Sequence, residues 1–127
     1  MNVLEMNVLV LAYLGDTIYE NYVRRYLINK KINNVNALQT ESIKYVSAIN
    51  QAKFLNKLLE EDFFSEEEIN IIKRARNYKS NYHPKNCDII SYKNATGLEA
   101  LIGYLDLVDK NERINEIMNR ILEEEGC

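Results

Sequence analysis

Leu11, Leu14, Ile18, Tyr22 and Tyr26 recur at intervals of three and four residues, the spacing that lines one face of an α-helix. This predicts a first helix from about Asn7 to Asn29, buried along that stripe, with Glu20 and Arg24 one turn apart and able to pair. Asn33 and Asn34 interrupt the pattern. A second helical region follows from about Asn36 to Leu59, with Ile43, Val46, Ala52, Leu55, Leu58 and Leu59 as its apolar members. Ser47 offers a place to bend or divide it, because a serine hydroxyl caps a new helix start. Ser65 with Glu68 three residues on is a capping box, opening a helix that carries Ile69, Ile71 and Ile72 toward Lys79. Asn81 to Asn94 reads as a loop with one short turn at most, since His83 ahead of Pro84 is pushed out of the helical region. Ala95 to Val108 is the next helix and is intensely apolar. Asp109 or Asn111 then caps a last amphipathic helix ending near Glu124, with Gly126 just beyond it.

Composition strengthens the helical reading. One proline and four glycines in 127 residues leave little to break helices or build hairpins. The expectation is an all-α fold, a single compact domain over residues 1–127. No apolar run approaches the roughly 20 residues that span a bilayer, and Met1 to Leu14 lacks the basic start of a secretory signal, so a cytoplasmic chain with no membrane partner is expected. Cys87 and Cys127 lie far apart without a CxxC partner, and the chain has a single histidine, which argues against a zinc site or a disulfide framework.

A net charge of −3 excludes a protein that coats nucleic acid by bulk electrostatics. The distribution changes the picture. Between Ile69 and Cys87 there is no acid, while Lys73, Arg74, Arg76, Lys79 and Lys85 fall there with His83. Acid is concentrated on either side, at Glu60 to Asp62, Glu66 to Glu68 and Glu123 to Glu125. The asymmetry suggests a localised anionic partner. A solvated helix face whose cations pair with Glu66 to Glu68 fits the same pattern.

Two apolar segments each embed one carboxylate: Asp16 within Leu11 to Ile18, and Glu99 within Gly97 to Leu105. Asp16 follows Gly15, and Glu99 lies between Gly97 and Gly103, so small residues near each acid permit close helix approach. Two desolvated carboxylates brought together repel, unless a divalent cation or a basic side chain compensates, and Mg²⁺ is the hard ion that suits them. Acids satisfied singly by backbone donors, Lys or Arg at solvated helix edges fit the spacing equally well.

LAYLGDTIYE (Leu11 to Glu20) resembles the signature helix of the ribonuclease III family, and TGLEALIGYL (Thr96 to Leu105) its second catalytic helix. YVSAINQA (Tyr45 to Ala52), RARNYKS (Arg74 to Ser80) and PKNCDIISYKNATG (Pro84 to Gly97) extend the likeness over nearly the whole chain. It is most similar to the Mini-ribonuclease III branch, a nuclease domain without a separate double-stranded-RNA-binding domain. The resemblance implies a homodimeric, Mg²⁺-dependent endonuclease that cleaves double-stranded RNA and matures both ends of the 23S ribosomal RNA precursor, with a ribosomal protein bound to that RNA as a further partner. It implies Asp16 and Glu99 as catalytic and metal-binding groups. Lys73, Arg74, Arg76, Asn77, Lys79, Ser80 and Lys85 then become donors to RNA phosphates and 2′-hydroxyls. Larger relatives carry further acids where Ala12 and Thr96 stand here. A non-catalytic duplex-binding or ribosome-assembly module with the same fold is the alternative.

Overall fold

A computed structural model describes residues 2–80 and 82–125. After a 3-10 turn at Val3–Glu5 come six helices: α1 Val8–Asn29, α2 Val35–Val46, α3 Ala48–Glu60, α4 Glu66–Arg76, α5 Ile89–Leu107 and α6 Asn111–Glu125. Among the described residues there is no strand, and no helix is long and apolar enough to cross a membrane. Short polar side chains set the starts. Asn7, Asn34, Ser47, Ser65 and Asp88 each accept a backbone N–H in the first turn that follows, satisfying donors that have no partner within the helix. The division expected at Ser47 occurs there, where its hydroxyl accepts from the Asn50 N–H at 3.3 Å.

α5 is the centre of the molecule, with α1, α3 and α4 packed around it. Leu98, Ala100, Leu101 and Ile102 have no solvent exposure, so the helix is apolar on nearly every side, as a core helix must be. Its start differs from the sequence expectation. It begins at Ile89, six residues before Ala95, because Asp88 caps it through the Ser91 N–H at 3.0 Å. The His83–Pro84 signal marks a real loop, but one that is shorter than expected.

The buried line of α1 also differs. Leu11, Gly15, Tyr19, Val23 and Leu27 form it, while Leu14, Ile18, Tyr22 and Tyr26 lie beside it, half-buried. Gly15 carries no apolar side chain to mark that line, yet it is the residue that faces α5 most closely. Tyr19 closes the contact with α2 by donating its hydroxyl to the Tyr45 carbonyl oxygen at 2.6 Å. Ile43 is exposed rather than in the core, and α4 ends at Arg76, leaving Lys79 in the loop. Gly126 and Cys127 lie outside the described residues, as does Asn81 at the start of the expected loop.

The capping box of α4 is also a tertiary tie. Glu68 accepts the Ser65 N–H at 2.9 Å and a two-pronged bond from Arg113 of α6, with Nε at 2.8 Å and Nη2 at 2.9 Å. Arg113 also donates to the Phe63 carbonyl oxygen at 2.7 Å and covers the Phe63 ring. Burial pushes the Glu68 carboxyl up, but the Arg113 bonds and the Ser65 backbone outweigh it and hold the group below its ordinary range. Arg113→Ala strands this buried carboxylate and is expected to lower stability by about 3 kcal/mol near neutral pH. Because the folded carboxyl titrates below the unfolded one, that stabilisation is present above the ordinary glutamate range and fades as pH falls through it. Urea denaturation of both proteins should show the gap at pH 7 shrinking towards pH 3; an equal gap at both would refute the account.

Candidate active site

α1 and α5 meet backbone to backbone at two glycines. A Cβ on Gly15 would overlap the Glu99 carbonyl oxygen and lie 2.6 Å from its carbon; one on Gly103 would overlap the Leu11 carbonyl oxygen and lie 2.8 Å from its carbon. Only glycine permits this approach. Gly97 does something else, since its Cβ position faces Ile72 of α4 at 3.2 Å. Of the small residues near the two acids, Gly15 and Gly103 make the crossing and Gly97 seats α4.

The crossing carries Asp16 and Glu99 side by side, within hydrogen-bonding reach of each other. Their settings are unequal. Asp16 is exposed, so the expectation of two desolvated carboxylates holds only for Glu99. The Glu99 carboxyl is pushed up to about 9, first by burial, then by the hydrogen bond and charge of Asp16, with the Glu20 charge adding and the Gln51 amide opposing. That amide donates to Glu99 Oε2 at 3.4 Å. The groups that act on Glu99 are Asp16, Gln51 and Glu20, none of them basic.

The loop after α4 reaches this end of α5. Tyr82 packs edge-on against Tyr92 at 5.8 Å, and the Tyr92 hydroxyl is pushed up by burial, by Tyr82 and by the charges of Glu99, Cys87 and Asp16. A cleft of about 100 Å³ between loop and helix is lined by Ser80, Tyr82, Tyr92 and Lys93, and by Thr96 one turn before Glu99. Lys73, Arg74, Asn77, Lys79, Ser80 and Lys85 are exposed and Arg76 is half-buried. Arg74 donates to the Met6 carbonyl oxygen at 3.3 Å. Glu68 is taken by Arg113 and Glu67 by the Tyr104 hydroxyl, so those acids are engaged elsewhere, and among the described residues no ion pair occupies the cations of this region. Ser80 lines this cleft, whose walls include neither Asp16 nor Glu99. The lysines and arginines present charge on the surface beside it. His83 holds the loop, its Nδ1 within 2.8 Å of the Cys87 carbonyl oxygen.

Residues 9–110 match the model of the Ribonuclease III domain. The chain belongs to the ribonuclease III family. It is 42% identical over 117 residues to the Mini-ribonuclease 3 of Staphylococcus aureus, covering 92% of this chain and 87% of that protein. To the Mini-ribonuclease 3 of Brevibacillus brevis it is 49% identical over 114 residues, covering 90% and 84%. A crystal structure from Fusobacterium nucleatum matches with a TM-score of 0.84 at 35% identity, over 95% of both chains. The chain is an endoribonuclease of the ribonuclease III type.

The candidate site is sparse in acids. Ala12 is buried in the core, and Thr96 turns its hydroxyl back to the Tyr92 carbonyl oxygen at 2.9 Å. Among the described residues no group of three or more His, Cys, Asp or Glu is placed to hold a metal ion. Asp16 and Glu99 are nonetheless hard oxygen donors beside one another, a pair that fits a magnesium-sized ion retaining most of its waters. Sequence reasoning did not find Gln51, Tyr92 or Lys93. Glutamine and lysine in a helix carry no periodic signal, and Tyr92 fell in a segment read as loop.

Proposed function

We propose that this ribonuclease III-type enzyme is a Mg²⁺-dependent homodimer that cuts double-stranded RNA and matures both ends of the 23S ribosomal RNA precursor in the cytoplasm. The observation that carries the reading is the carboxyl pair, with Glu99 half-buried and bonded to Gln51 and Asp16 open to solvent at a glycine crossing. Asp16 and Glu99 would hold the ion. A bound divalent cation supplies activation of water and neutralisation of charge at the phosphodiester. The chain's own part is to fix Glu99, to keep Asp16 accessible to the backbone of the substrate, and to hold the duplex through Lys73, Arg74, Arg76, Asn77, Lys79, Ser80 and Lys85. A-form RNA is gripped through phosphates and 2′-hydroxyls, which suits surface cations rather than a deep pocket.

The dimer is supported by α1. Leu9 and Val10, about two turns before Asp16, and Tyr13, one turn before it, are exposed on α1, Tyr13 to 83%. An aromatic ring left so open in an apolar patch is a common mark of a subunit contact.

The test is a long RNA duplex incubated with the protein in Mg²⁺ and then in chelator. Defined fragments in Mg²⁺ alone, and release of both ends from a base-paired 23S precursor, are expected. Binding with no product in Mg²⁺ would overturn the nuclease reading in favour of a non-catalytic assembly module. Removing Lys73 and Lys79 together by alanine is expected to weaken duplex binding regardless of sequence, and to lower the slope of log affinity against log salt by about 1 to 2. An unchanged slope would take these lysines off the phosphates.

A further inference from the structure

Gln51 is a buried polar residue that the chemistry above leaves without a task. It lies in the first turn of α3 and is 3% exposed. Its Nε2 donates to the Val46 carbonyl oxygen at 3.0 Å and to Glu99 Oε2 at 3.4 Å, while its Oε1 is buried without a hydrogen-bond partner. Both near neighbours are acceptors, so the nitrogen must face them. Val46 is the last residue of α2 and its carbonyl has lost its place in the helical ladder, so one end of this amide is pinned to the α2–α3 junction. A stranded buried acceptor destabilises the fold. An apolar residue of the same length would avoid that cost, and a cap for Val46 alone does not require a side chain that also reaches Glu99.

We propose that Gln51 is a positioning residue of the nuclease site, which anchors on Val46 and holds the Glu99 carboxylate turned toward Asp16 in readiness for a cation. The inference rests on the reading of Asp16 and Glu99 as the cation site. With Glu99 free to choose another rotamer, the pair no longer converges before the ion arrives, and affinity for the ion falls.

The experiment measures Mn²⁺ binding by calorimetry to the metal-free full chain, as wild type, Gln51→Met and Gln51→Glu, beside the Mg²⁺ midpoint for duplex cleavage. Gln51→Met is expected to weaken Mn²⁺ binding and raise the Mg²⁺ midpoint by about tenfold, the usual scale for losing a group that orients a ligand, with the rate at saturating Mg²⁺ near wild type. Gln51→Glu, which places a further carboxylate against Glu99, is expected to bind Mn²⁺ more tightly than wild type. If both variants match wild-type affinity and only their melting temperatures fall, Gln51 is a helix cap and the inference is overturned. Should Gln51→Met not fold, Gln51→Leu takes its place, with the same loss of Mn²⁺ affinity expected and wild-type affinity overturning the inference. A wild-type chain that binds no Mn²⁺ removes the cation site itself, and this inference with it.

Discussion

Asp16→Asn is expected to lower duplex cleavage by about a thousandfold or more, equivalent to about 4 kcal/mol of transition-state stabilisation, while the variant folds and binds duplex. Asp16 is exposed, so the amide meets no packing penalty, and what disappears is the charge open to the substrate. A second effect runs against intuition. The Glu99 carboxyl titrates at about 9 in the folded chain against an ordinary 4.5. Between those values the metal-free folded protein keeps a proton that the unfolded chain releases, so its stability falls as pH rises through that window. Removing the Asp16 charge removes one of the causes of the shift. In chelator at pH 8 the variant should therefore melt higher than wild type, and the two should converge near pH 5. Retained cleavage would remove Asp16 from the site; a lower melting temperature at pH 8 would refute the electrostatic account of the pair.

The largest loss of stability is expected from Gly15→Ala. In an ordinary helix interior this change gains about 1 kcal/mol, but here the new methyl would sit on the Glu99 backbone. The object in its way is a main-chain carbonyl in a central helix, so α1 and α5 must separate along the whole crossing. Such overpacking costs about 3 kcal/mol, and backbone against backbone places this case at or beyond that. Gly103→Ala should behave alike, whereas Gly97→Ala, opposed at 3.2 Å by the Ile72 side chain and carbonyl, should be milder. Urea denaturation orders the three. Any Gly15→Ala protein that folds should also lose cleavage, because separating the helices separates the acids, and wild-type stability would refute the backbone contact.

The helices were legible from spacing and caps because those signals are local. Ser47 and Ser65 marked their starts correctly, since a hydroxyl meets its N–H within three residues. Asp88 is the same kind of signal, but the polar run from Ser91 to Asn94 hid it by breaking the apolar period. The acid pair was legible as two charges in apolar surroundings, while its asymmetry was not, because the burial of Glu99 depends on α3 arriving with Gln51. On α1 the apolar stripe pointed beside the true contact line, which runs through a residue with no side chain. Absence of a group cannot register as hydrophobicity.

The family match closes at residue 110, and Arg113 lies just past it. A nuclease trimmed to that boundary would keep both acids and every cation of the basic region, yet would leave the buried Glu68 carboxylate without its counter-ion. The autonomous folding unit of this chain is therefore larger than its recognisable family segment, with α6 as an internal counterweight that holds α4 in place.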